Sequence, residues 1–551
     1  MGLGLSLCIG LVGLSGHLVE VQADVASGLP AFTLVGLPDT ALTEARDRVR
    51  AAMANAGCAL PARRVTVNLS PAALPKSGTA FDLAIATALL AASGQIGQEG
   101  SARRVHLGEL GLDGRVQPVR GVLPSVLAAV RSGIPRVVVP AANATEARLV
   151  PRAEVLAVEH LDEVLQFLRD GRITARDGKA AAAGGGTALR DGETTAPSAA
   201  RAVVRIPRSP TGPDGAAGRS GDPGCLPSGD VPGPDLREVA GQEEARRAVE
   251  VAAAGGHHLL LLGPPGAGKT MLATRMPGLL PDLDDAQALE VTALHSVAGT
   301  LDPARGLVRR PPLESPHHTA TVTALVGGGS GLPRPGAASL AHRGVLFLDE
   351  AAEFRPQALD SLRQPLERGE LLIHRSRGSA RFPARFLLVL ACNPCPCGQS
   401  CGRGDRCTCT PQARRRYLSR LSGPLLDRVD LQVLVTAVSR ADLAADPPES
   451  SAPVARRVAR VRQVQRERFA DRPWICNGEA PGAWLRSQGR LPASVTADLD
   501  RALDRGTLSI RGYDRILRVS WTVADLAGHD RPERDDVGRA LALRRSLAGD
   551  A

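Results

Sequence analysis

The chain has 551 residues, 43% of them hydrophobic and only 2% aromatic, and its formal net charge is +10. This length exceeds what one hydrophobic core accommodates, so two or three domains are expected. No apolar run reaches the length of a membrane helix, and the apolar residues 1–19 lack the basic leader of a signal peptide. We therefore expect a cytoplasmic protein with no membrane partner, whose charge permits a polyanionic partner without proving one.

The first 172 residues alternate between patterns of strands and helices. Residues 65–69 and 136–140 have the composition of strands, and residues 81–92 that of a buried helix. Residues 173–233 are rich in Gly, Ala, Pro and Ser and contain few large apolar residues. Such a segment cannot bury enough surface to fold, so we predict a flexible linker there.

A phosphate-binding loop begins the next block. Four leucines at 259–262 predict a buried strand, and residues 271–280 predict a helix. Between them lies a G-x-x-x-x-G-K-[ST] motif, formed by Gly263, Pro264, Pro265, Gly266, Ala267, Gly268, Lys269 and Thr270. Its backbone N–H groups can surround a polyphosphate, Lys269 can reach the β and γ phosphates, and Thr270 can ligate Mg²⁺. ATP is therefore the expected nucleotide.

A second motif supports this prediction. Residues 345–350, VLFLDE, form an apolar run that ends in two carboxylates. Taken alone, Asp-Glu after a strand is usually a solvated turn. Beside a phosphate loop, Asp349 is expected to hold Mg²⁺ and Glu350 to polarise the attacking water.

Six of the ten cysteines lie between residues 392 and 409. In a cytosolic protein such a cluster favours a metal site over disulfides. We select Cys395, Cys397, Cys407 and Cys409 as candidate zinc ligands, with Cys401 as a substitute and Cys392 packed at a strand end. The one-residue spacing within each pair is less typical than C-x-x-C, and free thiols are the alternative.

Beyond about residue 440 the pattern becomes helical. A basic amphipathic helix is predicted over residues 454–469, followed by helices over 491–505, 511–527 and 535–547. We therefore separate a core at 234–438 from a helical region at 439–551.

From residue 235 onward the chain resembles the YifB/ComM group, in the magnesium-chelatase-like branch of AAA+ ATPases. The resemblance rests on segments in a fixed order: 235–242 (DLREVAGQ), the phosphate loop, 315–319 (SPHHT), 325–329 (LVGGG), 345–350, 362–367 (LRQPLE) and 421–430 (LSGPLLDRVD). It implies an α/β multidomain protein, with a P-loop αβα core around a parallel sheet and a C-terminal helical lid.

The resemblance also implies residue roles. Asn393 matches sensor 1, which helps to position the hydrolytic water, and Arg428 matches an arginine finger that enters a neighbouring subunit's site. Arg511 is the better match to sensor 2, with Arg515 as the alternative. A finger acting in a neighbouring site requires a ring, so a homo-hexamer is expected.

Residues 333–340 and 370–385 are similar to inserts that project toward the central pore in this branch. Arg375, Arg377, Arg381 and Arg385 alternate along the second insert, and we predict that they share one face of a hairpin. Arginines in a pore could follow a DNA backbone, whereas the alternative is a charged edge strand that discourages aggregation.

Residues 1–172 resemble the Lon-protease-like α+β domain that precedes the ATPase in this group, through segments 28–39, 68–83, 107–110 and 114–116. A Lon-type Ser-Lys dyad would need a hydroxyl and a neutral amine. Aligned on the family, Ala80 stands at the serine and Leu123 at the lysine. Lys76, Ser77 and Thr79 lie nearby, but the domain is expected to be catalytically dead.

The leading hypothesis is an ATP-driven ring motor acting on single-stranded or branched DNA, with a ComM-like helicase or branch-migration role. The alternatives are the motor subunit of a magnesium chelatase and a nucleotide-gated scaffold without translocation.

Overall fold

The computed structural model describes residues 2–36, 40–60, 62–72, 74, 76, 78–171, 233–329, 333–375, 378–400 and 407–544. Ser77, Arg377, Cys401 and the predicted linker, except residue 233, lie outside this range. The chain divides into two compact units. Met1–Gly221 with Ser296–Gly306 forms the first unit, and Asp222–His295 with Leu307–Ala551 forms the second.

The first unit contains a seven-stranded mixed sheet in the order β3-β4-β2-β1-β5-β8-β9, and a separate pair β6-β7. The strands are β1 Leu3–Val12, β2 Ser15–Ala26, β3 Ala31–Val35, β4 Arg64–Ser70, β5 Val105–His106, β6 Glu109–Leu110, β7 Val116–Gln117, β8 Arg136–Pro140 and β9 Glu154–Val158. The helices are α1 Thr40–Asn55, α2 Asp82–Ala92, α3 Gln98–Ala102, α4 Val122–Arg131, α5 Ala144–Ala147 and α6 Leu161–Asp170. The predicted strands in β4 and β8 are confirmed, and α2 is buried along its whole length, as its composition indicated.

The second unit is built on a five-stranded parallel sheet in the order β11-β12-β15-β10-β16. Its strands, with a separate hairpin β13-β14, are β10 Leu259–Leu262, β11 Leu313–Glu314, β12 Val345–Leu348, β13 Glu370–Arg375, β14 Gly378–Pro383, β15 Leu387–Cys392 and β16 Leu431–Leu434. Alternate residues of the central strands enter two different cores: Leu259 and Leu261 join one, whereas Leu260 and Leu262 join the other. This sheet is therefore covered on both faces, which explains the uninterrupted apolar runs of its strands.

The second unit contains helices at the five predicted places, although the one predicted over 271–280 ends as an α-helix at Arg275 and continues as a 3-10 turn, Met276–Leu279. The helices of this unit are α7 Glu243–Gly255, α8 Lys269–Arg275, α9 Asp285–Ala298, α10 Val322–Val326, α11 Ala337–Leu340, α12 Pro356–Ser361, α13 Arg363–Arg368, α14 Pro411–Leu418, α15 Gly423–Leu426, α16 Arg440–Ala444, α17 Ser451–Arg468, α18 Gly482–Arg486, α19 Ala493–Asp504, α20 Ile510–Ala527 and α21 Arg534–Ala542. The tail of α9 falls in the segment assigned to the first unit. Among the described residues, no helix combines the length and apolarity that a bilayer crossing needs.

The C-terminal helices share a core with one face of the sheet. Val458 of α17, Leu499 of α19 and Trp521 of α20 belong to the same buried cluster as Leu259 of β10. The predicted core and helical region are therefore parts of one compact unit in the described chain.

The hairpin β13-β14 corrects one prediction. Its antiparallel register places Arg375 opposite Gly378 and Leu372 opposite Arg381. Because directly opposed residues share a face and neighbours alternate, Arg375 and Arg381 lie on opposite faces. Arg385 follows the end of β14, and Arg377 lies outside the described residues. The predicted single arginine face is wrong because the register pairs odd-numbered with even-numbered residues.

Candidate nucleotide site

The phosphate loop connects the carboxyl end of β10 to α8, and its conformation depends on glycine. Gly266 and Gly268 have φ values of 74° and 87°, in the left-handed region that side chains disfavour. At Gly263 a Cβ atom would lie 2.3 Å from the carbonyl oxygen of Val435, so no larger residue fits there. The motif glycines therefore allow the sharp return of the chain from strand to helix.

The Lys269 amine lies across this loop. Its Nζ atom donates hydrogen bonds to the carbonyl oxygens of Gly263 and Pro264, at 2.7 and 2.9 Å, and to Oδ1 of Asn393 at 3.1 Å. The residue is only 8% exposed. Lys269 and the predicted sensor Asn393 therefore meet directly, although 124 positions separate them in the chain.

The two residues expected to bind Mg²⁺ are also in contact. The Thr270 hydroxyl donates to Oδ2 of Asp349 at 2.7 Å, and the Glu350 backbone N–H donates to Oδ1 of the same carboxylate at 2.9 Å. Hydroxyl and carboxylate oxygens are the hard ligands that Mg²⁺ prefers. Together with the loop and Lys269, these oxygens fit a nucleoside triphosphate and its magnesium ion.

The sheet order explains why these groups converge. β10, β15 and β12 are neighbours, and each is followed directly by one part of the site: the loop, Asn393 and the Asp349–Glu350 pair. Functional groups of parallel sheets collect beyond the carboxyl ends of the strands, as they do here.

Two further residues contact the site without a role having been predicted from sequence. His318 Nδ1 lies 3.0 Å from Oε2 of Glu350. Gln242 donates from Nε2 to the carbonyl oxygen of Ala267 within the loop, and also to that of Thr436 at 3.3 Å. Both residues lie in segments that carried the family resemblance, and this was the only available signal.

Most of the chain is similar to known proteins. A family model described as magnesium chelatase, subunit ChlI, matches residues 235–443. A second model, described as the C-terminal part of the same subunit, matches residues 448–544. A further ChlI model matches residues 21–143. An uncharacterized protein of Mycobacterium tuberculosis is 48% identical over 553 residues, which cover 100% of both chains.

Two named relatives decide the family. Competence protein ComM of Haemophilus influenzae is 39% identical over 535 residues, 97% of this chain and 96% of that protein. Protein YifB of Escherichia coli is 39% identical over 537 residues, 97% of this chain and 95% of that protein. The chain belongs to the YifB/ComM family of magnesium-chelatase-like AAA+ ATPases.

Part of this YifB/ComM chain is also similar to Lon proteases. A Lon protease of Roseiflexus castenholzii is 34% identical over 164 residues, 27% of this chain and 20% of that protein. In the first unit, Ala80 and the fully buried Leu123 offer neither a hydroxyl nor an amine. The Lys76 amine donates to the carbonyl oxygen of Leu69 at 2.9 Å, and burial lowers its pKa.

The arginines of this YifB/ComM protein that were matched to the finger and to sensor 2 lie together, but not at the phosphate loop. Arg428 precedes β16, whose first residue pairs with the first residue of β10. The four-residue strand β10 therefore separates Arg428 from the loop by roughly 13 Å. Arg511 lies 3.5 Å from Asp427, and its charge adds to burial in lowering the pKa of Arg428.

Arg515 is held in the structure by a buried carboxylate. Its Nη1 atom donates to Oδ1 of Asp430 at 2.5 Å and to the Arg428 carbonyl oxygen at 3.0 Å. Burial alone would raise the pKa of Asp430, but the charge of Arg515 and a hydrogen bond from His257 hold it well below its usual range. Arg515 thus supports the segment that carries Arg428, whereas the Arg511 side chain is 69% exposed.

The four selected cysteines form a cluster suited to a metal. The Sγ atoms of Cys395, Cys397, Cys407 and Cys409 lie within 4.8 Å of one another, and Cys395 is 3.3 Å from Cys397 and 3.7 Å from Cys407. Zinc–sulfur bonds of about 2.3 Å in a tetrahedron require sulfur atoms roughly 3.8 Å apart, so the donor set fits zinc. Cys392 is buried at the end of β15, where burial raises its pKa to about 11.

The cysteine cluster also contacts the phosphate loop. A Cβ atom built on Gly398, whose φ is 76°, would lie 2.5 Å from the ring of Pro265. Asn393 lies two positions before Cys395 on the same segment. The segment between Asn393 and Gly398 therefore joins the sensor, the cysteines and the loop.

Proposed function

We propose that this protein hydrolyses ATP at sites completed by a second copy of the chain, in a homo-hexameric ring. The observation that carries this proposal is the separation of the site into two edges of one sheet. The phosphate loop follows the carboxyl end of β10, whereas Arg428 and Arg511 lie beside its amino end. Since neither arginine lies at the loop of its own chain, a neighbour's nucleotide is the target that would use both.

Each residue at the carboxyl edge has a defined task in this proposal. The Lys269 amine neutralises phosphate charge, and Thr270 with Asp349 holds Mg²⁺, which withdraws charge from the phosphate oxygens when bound. Glu350 accepts hydrogen bonds from the attacking water and orients it toward the γ phosphate. Asn393 fixes the Lys269 amine and donates from its amide to the same water. Arg428, which pairs with Glu367 in its own chain, exchanges that carboxylate for the γ phosphate of a neighbouring copy and neutralises the charge that develops there.

Assembly is the first test. The variant Glu350→Gln should retain ATP and stay assembled, so light scattering with ATP and Mg²⁺ should give the mass of about six copies. Adding Arg511→Asp to that variant should weaken the assembly. A monomer under saturating ATP would contradict the ring.

We also propose that DNA, single-stranded or branched, is the substrate on which the ring acts. The similarity to a competence protein, ComM of Haemophilus influenzae, and the net charge of +10 support this. Turnover measured with no DNA and with single-stranded, duplex and branched DNA tests it. Stimulation by single-stranded or branched DNA, with strand displacement, is expected of a motor. Equal turnover in every arm would contradict it and favour a scaffold.

The cysteine cluster is proposed to bind a structural zinc ion. Its support is that the four sulfur atoms lie within 4.8 Å of one another, close enough to bind one tetrahedral ion. Cysteines that bind zinc must stay reduced, and the cytoplasmic location that we also propose would keep them so. Metal analysis of the purified protein should give about one zinc per chain.

The first unit is proposed to be inactive as a protease. The support is Ala80 and Leu123 at the two aligned positions, together with the Lys76 amine bonded to backbone. Incubation of the protein with an unfolded protein substrate and ATP should leave the substrate intact.

A further inference from the structure

A cavity of about 480 Å³ opens beside the amino ends of β10, β12 and β15, within the second unit. His258, Gly344 and Phe386, each one residue before one of these strands, line it. The phosphate loop follows the other end of β10, so this cavity is separate from the nucleotide site. Its volume lies in the range of small-molecule sites.

The cavity is strongly cationic. Six arginines line it: Arg343, Arg368, Arg385, Arg462, Arg466 and Arg518. Three carboxylates also do so, those of Asp282, Glu367 and Glu479. Arg343 pairs with Glu290, outside the lining, at 3.6 Å, and Glu367 pairs with Arg428. Among the described residues, the other five arginines form no ion pair with a carboxylate.

A second cavity in the same unit provides the contrast. Its volume is about 390 Å³, and it is also lined by arginines. There, Arg457 bonds the carboxylates of Glu250 and Glu449 at 2.6 and 2.7 Å. Its lining has four arginines and three carboxylates, so it is less cationic than the larger cavity, which has six arginines and three carboxylates.

Two residues that line the larger cavity also carry donors without acceptors. Within the described part of the chain, Nε of Arg343 and Nε1 of Trp474 are buried without a hydrogen-bond partner. Arg518 donates from Nε to the Ala480 carbonyl oxygen at 2.7 Å, and burial lowers its pKa. Buried donors of this kind are costly unless they meet an acceptor, and guanidinium groups match phosphate oxygens in pairs.

We propose that this cavity binds a phosphate-bearing nucleotide, either free or as one unit of a single strand. The arginines would bind the phosphate, and Trp474 with the neighbouring Ile475 and Phe386 would contact the base. The helix α17 supplies Arg462 and Arg466 from its basic face, which the hydrolytic site does not use. The cavity lies away from the phosphate loop, so binding there does not require ATP hydrolysis.

Binding to the full chain tests the proposal, with the phosphate loop saturated by ADP and Mg²⁺. Thymidine monophosphate and a short oligothymidylate are titrated by calorimetry at low salt. Arg385 and Arg466 are exposed, so Arg385→Ala with Arg466→Ala should fold normally. The double variant should bind roughly tenfold more weakly. The control Arg531→Ala, which removes an exposed arginine outside the cavity, should bind as the wild type does.

The two ligands distinguish the source of the nucleotide. Binding of the monophosphate, competed by inorganic phosphate, supports a free nucleotide, whereas binding of the oligonucleotide alone supports a strand. In either case Trp474→Phe should remove the change in tryptophan fluorescence on binding. No binding of either ligand, or equal affinity in the double variant, would overturn the proposal.

Discussion

His318 Nδ1 and Glu350 Oε2 lie 3.0 Å apart, so an imidazole holds the carboxylate that we propose to orient the attacking water. His318 follows β11, and Glu350 follows β12, the neighbouring strand. Glu350 also has a φ of 50°, in the left-handed region, which turns the chain sharply beyond the strand. A carboxylate that is paired in this way accepts a hydrogen bond from water less readily than a free one.

The variant His318→Ala should therefore raise ATP turnover in the absence of DNA. Both side chains are partly exposed, so the pair contributes at most about 1 kcal/mol, equivalent to a rise of roughly twofold to fivefold. His317→Ala is the control, because Nδ1 of His317 contacts the Thr319 hydroxyl at 2.9 Å and its ring only packs against that of His318, with centroids 4.1 Å apart. A loss of turnover in His318→Ala would contradict a restraining role.

Glu350→Gln should abolish hydrolysis while ATP binding is kept, because the amide retains the shape but accepts hydrogen bonds poorly. We expect turnover to fall by about 100-fold or more, a loss typical of general-base removal. Glu353→Gln is the control, since that carboxylate pairs with Arg420 at 2.9 Å instead. Nucleotide binding and phosphate release should be measured on the same preparations. Wild-type turnover in Glu350→Gln would refute the assignment.

Much of this site could be predicted from sequence because its chemistry is local. Residues 259–270 specify a buried strand, a glycine turn and a helix within one short segment, and the structure has all three. The contacts of His318 and Gln242 could not be predicted, because they depend on which strands are neighbours. The same reason applies to the amino-edge position of Arg428 and Arg511. The prediction for the hairpin arginines failed for a related reason. A shift of one residue in the strand register moves a side chain to the other face of the hairpin.

Removal of one cysteine ligand should reduce both metal content and thermal stability. Cys407→Ser leaves three thiolates, which hold zinc weakly, and the segment that contacts Pro265 loses its cross-link. We expect less than half of the wild-type zinc, a lower melting temperature and lower ATP turnover. Cys58→Ala, in the first unit, is the control and should leave the zinc content unchanged. Full zinc content in Cys407→Ser would contradict the ligand set.

Acid should destabilise the second unit through His258. Nδ1 of this residue accepts a hydrogen bond from the Leu388 backbone N–H at 3.0 Å, and burial lowers its pKa to about 4. His258 binds a proton below about pH 6.5 in the unfolded chain but only below about pH 4 in the folded chain. The free energy of unfolding therefore decreases as the pH is lowered from 6.5 to 4. His258→Asn should flatten the dependence of melting temperature on pH between 6.5 and 4. An unchanged dependence would contradict it.

The hairpin arginines should differ in their effect on DNA. Arg375 precedes the turn, whereas Arg381 lies on the other face, 3.5 Å from Glu370. Arg375→Ala with Arg377→Ala should weaken DNA binding and flatten its dependence on salt, because fewer phosphate contacts release fewer counterions. Arg381→Ala should have a smaller effect. If the double variant and the wild type bind DNA with equal affinity across a salt titration, these hairpin arginines do not contact DNA.

The division of the site between two copies is tested most directly by mixing inactive variants. Lys269→Ala removes the cation at the phosphate loop, and Arg428→Ala removes the cation at the opposite edge of the sheet. Each variant alone should therefore be inactive. Mixed, they should regain turnover, because some interfaces combine a wild-type loop with a wild-type Arg428. Lys269→Ala mixed with Glu350→Gln is the control and should stay inactive, since both residues belong to one edge. Full activity of Arg428→Ala alone, or a mixture no more active than its parts, would contradict the shared site.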